Sequence, residues 1–269
     1  MSIWGNPVMI GGRNGGILHG ADAPAANLGE DGDGYVRKMP IPSNVNFVEY
    51  LQSSGTQYIQ TSIIADQNTD AVCDFTAVSL ASTSETGRVF GSRTDASNRA
   101  FFFAYYYSTA SGNRGWRATI AKRNGNADDL LVSVTAGQRY VYALKTAYLS
   151  SSANYSILTN NGNVAGMRTS GSAFTTPSGI VIFGIYNGGS ISKEPVILHR
   201  LTFYQAYSPI ADYLPCLDPN GIACLWENIA GEYVYNAGAG DFAYGGSVSP
   251  AELDPVLYIK RNGVWEVAG

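Results

Sequence analysis

Arg139-Tyr140-Val141-Tyr142-Ala143-Leu144-Lys145 places Tyr140, Tyr142 and Leu144 on one side of an extended chain. A repeat of two over such a length is the mark of a half-buried strand, because successive side chains in a strand point to opposite faces. Val196 to Tyr204 repeats the pattern, with Ile197, His199, Leu201 and Phe203 on one face and Leu198, Arg200 and Thr202 on the other. Similar strands are predicted over 88–92, 99–107, 114–120, 129–134, 154–159, 179–186, 222–226 and 232–235. Turn signals separate them: Asn124-Gly125-Asn126, Asn160-Asn161-Gly162-Asn163, Asn187-Gly188-Gly189 and Asn220-Gly221. Ten or more short strands at this spacing call for an all-β sandwich or barrel. In the sandwich reading, Tyr140, Tyr142, Leu144, Ile197, Leu201 and Phe203 form the buried face.

Composition agrees with that class. Of the 269 residues, 14% are charged and 45% apolar, with 31 Gly and 18 Tyr. No stretch is rich enough in Glu, Lys, Leu and Ala for long helices. Net charge is −4 without a basic patch, which argues against a nucleic-acid partner. No apolar run approaches the length of a membrane span. The N-terminus lacks the basic start and apolar stretch of a signal peptide, so the chain is expected to be made and kept in the cytoplasm or to leave by another route, such as lysis. The three cysteines, Cys73, Cys216 and Cys224, are too few for a disulfide framework. Cys216 and Cys224 flank Asp218-Pro219-Asn220-Gly221 and could meet across a hairpin, as a bonded pair or as small core residues.

Several stretches, taken together, resemble the laminin-G/concanavalin-A-like domains common in phage and prophage proteins of gut bacteria. Val48-Glu49-Tyr50-Leu51-Gln52-Ser53-Ser54-Gly55-Thr56-Gln57-Tyr58-Ile59-Gln60-Thr61 is similar to their opening strand, and Arg88-Val89-Phe90-Gly91-Ser92-Arg93 to the next core strand. Ile210-Ala211-Asp212-Tyr213-Leu214-Pro215-Cys216, Gly221 to Glu227 and Tyr233 to Phe242 resemble the closing elements, in the expected order. The resemblance implies a lectin-like, concanavalin A-like jelly-roll of two antiparallel sheets over 46–249. Gln60 stands where such domains often carry Asp, so no calcium or other metal site is implied.

A second resemblance involves the chain ends. Gly32-Asp33-Gly34-Tyr35-Val36-Arg37 and Leu257-Tyr258-Ile259-Lys260-Arg261-Asn262-Gly263-Val264-Trp265 look like the two halves of a small module of phage fibre and virion-surface proteins. With the jelly-roll inserted between them, 29–45 and 250–269 form one small β stalk module. Residues 33–37 are then expected to pair with 256–261, and 264–267 to complete the sheet, because a lone hairpin is marginal in water. Residues 1–28, rich in Gly and Pro, are expected to form an extended N-terminal arm. Its Ile3, Trp4, Pro7 and Ile10 are candidates for anchoring to a phage capsid or tail protein, or to further copies in a homotrimer.

No catalytic constellation is recognised. His19 lies in the arm and His199 reads as a core histidine. No C-x-x-C or H-x-x-x-H spacing occurs. A glycosidase needs two carboxylates across a groove. The nearest candidate, Glu252-Leu253-Asp254, falls beyond the sandwich, and Asp128-Asp129 point to opposite faces. No cofactor is called for.

A sugar offers an apolar face and a polar rim, so its sites combine rings with amides and cations. The run Phe101-Phe102-Phe103-Ala104-Tyr105-Tyr106-Tyr107 leaves open which rings face outward. Tyr105, Tyr107, Arg114, Trp116, Tyr186 and Asn187 are the candidate glycan contacts, with rings packed across strands as the competing explanation. The functional expectation is a non-enzymatic phage virion-surface protein, either a capsid decoration protein or a head or tail fibre. Alternatives are a tail adhesin recognising a bacterial-surface or mucus glycan, and a jelly-roll glycoside hydrolase.

Overall fold

The computed structural model describes residues 8–10, 17–19, 34–35, 41–80, 82, 86–95, 98–109, 114–123, 129–148, 154–160, 163–170, 173–205, 208–250, 252–253, 258–261 and 264–267. At 8–10, 17–19, 34–35, 119–123, 129–131, 145–148, 154–160, 163–170, 208, 258–261 and 264–267 the description is of backbone only.

Among these residues no helix occurs, and the sandwich consists of two sheets in a jelly-roll arrangement. The smaller sheet runs Asp129–Ser133, Gly115–Arg123, Ala100–Ser108, Thr86–Arg93, Val181–Ile182 and Ile59–Gln60. The hairpin Gly184–Asn187 and Ser190–Lys193 extends it, and Gly184–Asn187 makes a short parallel pairing beside Thr86–Arg93. The larger sheet runs Asn163–Ser170, Asn154–Asn160, Arg139–Tyr148, Thr69–Thr76, Pro195–Gln205, Ser208–Leu217, Ala223–Glu227 and Glu232–Val234. Leu51–Ser54 pairs with Pro195–Gln205 and Asn46–Phe47 with Ser208–Leu217. All of these pairings are antiparallel except the one named.

The core between the sheets is aromatic. Phe75, Tyr140 and Tyr142 come from the larger sheet and Phe90, Phe101, Phe103 and Tyr105 from the smaller. Phe75 meets Phe103 edge-on at 4.8 Å, and Phe90 meets Phe203 edge-on at 5.3 Å. Such cross-sheet pairs add about 0.5–1.5 kcal/mol each beyond simple burial.

Tyr140, Tyr142, Leu144, Leu201 and Phe203 are buried as their alternation requires. Ile197 departs from the expected pattern. A β-bulge between Leu198 and Arg200 shifts the register against Thr69–Thr76. Because one extra residue flips every later side chain, Val196 and Leu198 are core before the bulge, and Leu201 and Phe203 after it. Ile197 is therefore only partly buried on the opposite face. His199 lies on that same outer side. Its Nε2 is 2.9 Å from Thr76 Oγ1 and its Nδ1 is 2.9 Å from the Glu49 carbonyl. Burial pushes its pKa below the ordinary value, so the ring is a neutral clamp on the segment entering the sandwich.

A second, smaller core covers one end of the larger sheet on its outer side. The alternation that turns Tyr213 and Leu225 inward turns Leu214, Cys216, Cys224 and Trp226 outward, where Val45, Phe47, Val248 and Leu253 pack over them. Both chain ends leave the sandwich here. Beyond it, Gly34–Tyr35 pairs with Tyr258–Arg261 (Tyr35 opposite Ile259, Gly34 opposite Lys260), and Tyr258–Arg261 pairs with Val264–Val267. This is the three-stranded arrangement expected of the chain ends.

The N-terminal stretch differs from a purely extended arm. Val8–Ile10 pairs with Ile17–His19, bringing Ile10 opposite Ile17. Ile3, Trp4 and Pro7 lie outside the described residues.

Candidate functional site

The six candidate glycan contacts do not form one site. Tyr107 and Trp116 are directly paired across Ala100–Ser108 and Gly115–Arg123. Their rings meet edge-on, with centroids 5.7 Å apart. Both face the interior side of the sheet but stand at its end, where the core runs out, so each ring is only partly buried. The Trp116 carbonyl is held by the Val134 amide at 3.1 Å. Val78, Leu80 and Val132, also partly buried, pack against the same core. Arg114, the residue before this strand, is exposed and forms no ion pair with a described residue.

Tyr105 shares that face but is not a surface ring. It is 0% exposed. Its hydroxyl accepts from the Val78 amide at 3.1 Å and donates to the Pro195 carbonyl at 3.2 Å. Burial drives its phenol far above the ordinary range. The expectation that it contacts ligand is corrected: it is a core pillar, one pleat deeper than Tyr107.

Tyr186 and Asn187 lie elsewhere, beside Ser92 and Arg93. Tyr107 lies just past the opposite end of the same strand, where Thr86 pairs with Tyr106. Six residues of strand separate the two places, about 20 Å at the usual rise. Asn187 Oδ1 accepts from Arg93 Nε at 3.0 Å, and the Arg93 guanidinium sits 5.7 Å from the Phe102 ring centroid. Asn187 therefore holds the end of its own sheet.

A row of rings that sequence reasoning did not single out runs along the edge of the larger sheet. Trp226 meets Tyr233 edge-on at 5.0 Å, and Tyr233 lies 6.5 Å from Tyr235. Tyr235 is 46% exposed. Its hydroxyl donates to Asp218 Oδ2 at 3.1 Å. The Ile222 amide, followed by Asn220 and this hydroxyl, holds the Asp218 carboxyl below the usual carboxylate range. Tyr233 on the edge strand and Tyr235 just past its end were the available signal. Trp226 and Tyr233 also cover the second core, so packing accounts for much of the row.

The carboxylates near these elements are committed to structure. Asp212 and Glu227 are buried among Arg200, Thr202, Asn228 and backbone amides. Glu252 Oε2 accepts from the Ser249 amide within a turn. Asp254 lies outside the described residues, as does Asp128, and the Asp129 side chain is not described. Among the described residues, no three His, Cys, Asp or Glu side chains converge in a way that could hold a metal ion.

No family model and no curated protein matches the chain. Solved structures share the all-β architecture at low identity. IT-sialidase CBM40 of Ruminococcus gnavus bound to α2,3-sialyllactose is 14% identical, with 58% of this chain and 89% of that one covered and a TM-score of 0.40. Full-length tailspike protein 2 of Escherichia coli O157:H7 bacteriophage CAB120 is 10% identical over 64% of this chain and 22% of its own, with a TM-score of 0.33. Scytalido-glutamic peptidase is 12% identical over 71% and 100%, with a TM-score of 0.34. Likeness at this level does not assign a function, which has to be argued from the site.

Proposed function

We propose that this chain is a non-catalytic surface protein of a bacteriophage particle, a capsid decoration protein or a head or tail fibre. In this reading its jelly-roll displays a glycan-binding site built on Tyr107, Trp116 and Arg114. The glycan half rests on one observation: two half-buried rings fixed edge-on, with an exposed cation two residues before Trp116 in the chain that has no ion-pair partner among the described residues. A ring held in place by packing can stack on the apolar face of a pyranose with little loss of side-chain freedom. A guanidinium supplies a planar fork of donors to its hydroxyl rim or to a carboxylate. The virion half rests on the phage-fibre resemblance of residues 32–37 and 257–265, whose strands lie side by side.

On an array of bacterial-surface and mucus glycans, Tyr107→Ala should weaken binding at least about tenfold, as expected for loss of an aromatic anchor. Tyr186→Ala should stay within about twofold, because that residue sits roughly 20 Å away along the sheet. Equal binding by the wild type and a folded Tyr107→Ala variant would remove this site. Deleting residues 2–20 should leave the sandwich folded, with an unchanged unfolding midpoint, but abolish incorporation into particles. Full occupancy by the truncated chain would show that the arm is not the anchor.

A further inference from the structure

We propose that Cys216 and Cys224 are an oxidation site: they close into a cross-strand disulfide once the chain meets a disulfide-type oxidant outside a reducing cytosol. That bond would lock the place where both chain ends enter the jelly-roll.

The register is the first support. Cys216 lies directly opposite Cys224 in the pair Ser208–Leu217 and Ala223–Glu227. Two positions along, the Asp218 amide donates to the Ile222 carbonyl at 3.0 Å, so Asp218 and Ile222 form a hydrogen-bonded pair. Antiparallel partners alternate between hydrogen-bonded and open pairs, which makes Cys216 and Cys224 a hydrogen-bonded pair and Pro215 and Leu225 an open one. Pro215 fits this assignment. It has no amide to give, and its carbonyl turns the other way to accept from Val48 at 3.1 Å. Hydrogen-bonded partners stand about 5.5 Å apart at Cα, inside the span that a disulfide bridges, and closing the bond must draw their Cβ atoms, the wider-set of the two pair types, closer together.

The sulfurs are already in contact. Sγ of Cys216 and Sγ of Cys224 are 3.5 Å apart, and both thiols are free and buried. Cys73 cannot compete, because it lies in the core between the sheets while this pair belongs to the outer core. The bond would act at a junction, since Cys216 also pairs with Phe47, on the segment that carries the chain into the sandwich.

The chemistry balances with glutathione disulfide as oxidant. One cysteine thiolate attacks it, forming a mixed disulfide and releasing one glutathione thiolate. The second cysteine then attacks the protein-side sulfur and releases the other. Two protons and two electrons leave the pair. The folded reduced form should react slowly, because the adjacent Cys224 thiol and burial hold the Cys216 thiol well above the ordinary range and the thiolate is the reactive species. Oxidation is therefore expected while the chain folds or when this strand pair opens.

The test is to refold the purified chain from denaturant in a reduced/oxidised glutathione buffer and, in parallel, in excess dithiothreitol. Thiols are then alkylated under denaturing conditions before intact-mass measurement and peptide mapping. The oxidised sample should carry a single alkylation, at Cys73, with peptides joined through Cys216 and Cys224. Its melting temperature should rise by about 5 °C, the scale expected for closing so short a loop in a domain of this size. Cys224→Ala should show no redox response, while Cys73→Ala should respond as the wild type does. Three alkylations on natively refolded protein from the oxidising buffer would overturn the proposal, and so would a bonded form that melts below the reduced one.

Discussion

Asp212→Ala should destabilise the sandwich by about 3–5 kcal/mol, the loss expected when one partner of a buried ion pair is removed. Asp212 has a side chain only 1% exposed, and its carboxylate serves several donors at once. Arg200 grips it through Nε at 2.8 Å and Nη2 at 2.6 Å, Thr202 Oγ1 donates at 2.9 Å, and Asn228 Nδ2 lies at 3.3 Å. Without the carboxylate, a guanidinium only 18% exposed loses its counter-charge. Two further polar groups lose an acceptor. Arg200 also donates to the Leu253 carbonyl at 3.3 Å, so the C-terminal link should loosen as well. Arg139 provides the contrast. Its bidentate pair with Asp74 is equally short, but its side chain is 58% exposed, and Arg139→Ala should cost no more than about 1 kcal/mol. Denaturant titrations of both variants decide the matter. An Asp212→Ala loss below about 1 kcal/mol would mean that water replaces the carboxylate freely, contrary to the burial argument.

This network also marks a limit of reading the sequence. Arg200, Asp212 and Glu227 belong to three strands, and no local pattern says that they meet. Local patterns did reveal much else. Tyr140, Tyr142 and Leu144 alternate on a strand without irregularity, and all three are buried. The pairing of the two chain ends was legible because residues 32–37 and 257–265 resemble the two halves of one small module, and a lone hairpin needs a third strand. Ile197 was misplaced because a bulge one residue further on reverses the alternation, and no residue type announces a bulge. The run Phe101 to Tyr107 was ambiguous because both of its faces are apolar. One faces the main core. The other packs Ala100, Phe102 and Ala104 against Ile185. With no polar face to set the direction, exposure could not be assigned, and Tyr105 stood with Tyr107 among the candidate glycan contacts.

What makes Tyr105 a core residue is a glycine across from it. Gly87 pairs with Tyr105 between Thr86–Arg93 and Ala100–Ser108. A Cβ at Gly87 would stand 2.2 Å from Tyr105 Cζ and within 2.6 Å of both Cε atoms. The ring cannot retreat easily. Phe75 stacks against it at 5.8 Å, and its hydroxyl is tied to Val78 and Pro195. Gly87→Ala should therefore cost about 3–5 kcal/mol, combining the overpacking penalty with the loss of two buried hydrogen bonds. Gly221→Ala offers a comparison, because its φ of +80° is strained for a side chain but nothing lies within 4 Å of the added carbon. It should cost only about 1–2 kcal/mol. Replacing the ring by a smaller side chain, in Gly87→Ala with Tyr105→Leu, should be less damaging than the sum of the single changes, since the clash disappears with the ring. Additive losses, or a Gly87→Ala variant with wild-type stability, would mean that the ring has room to move and is not the fixed pillar behind Tyr107 and Trp116.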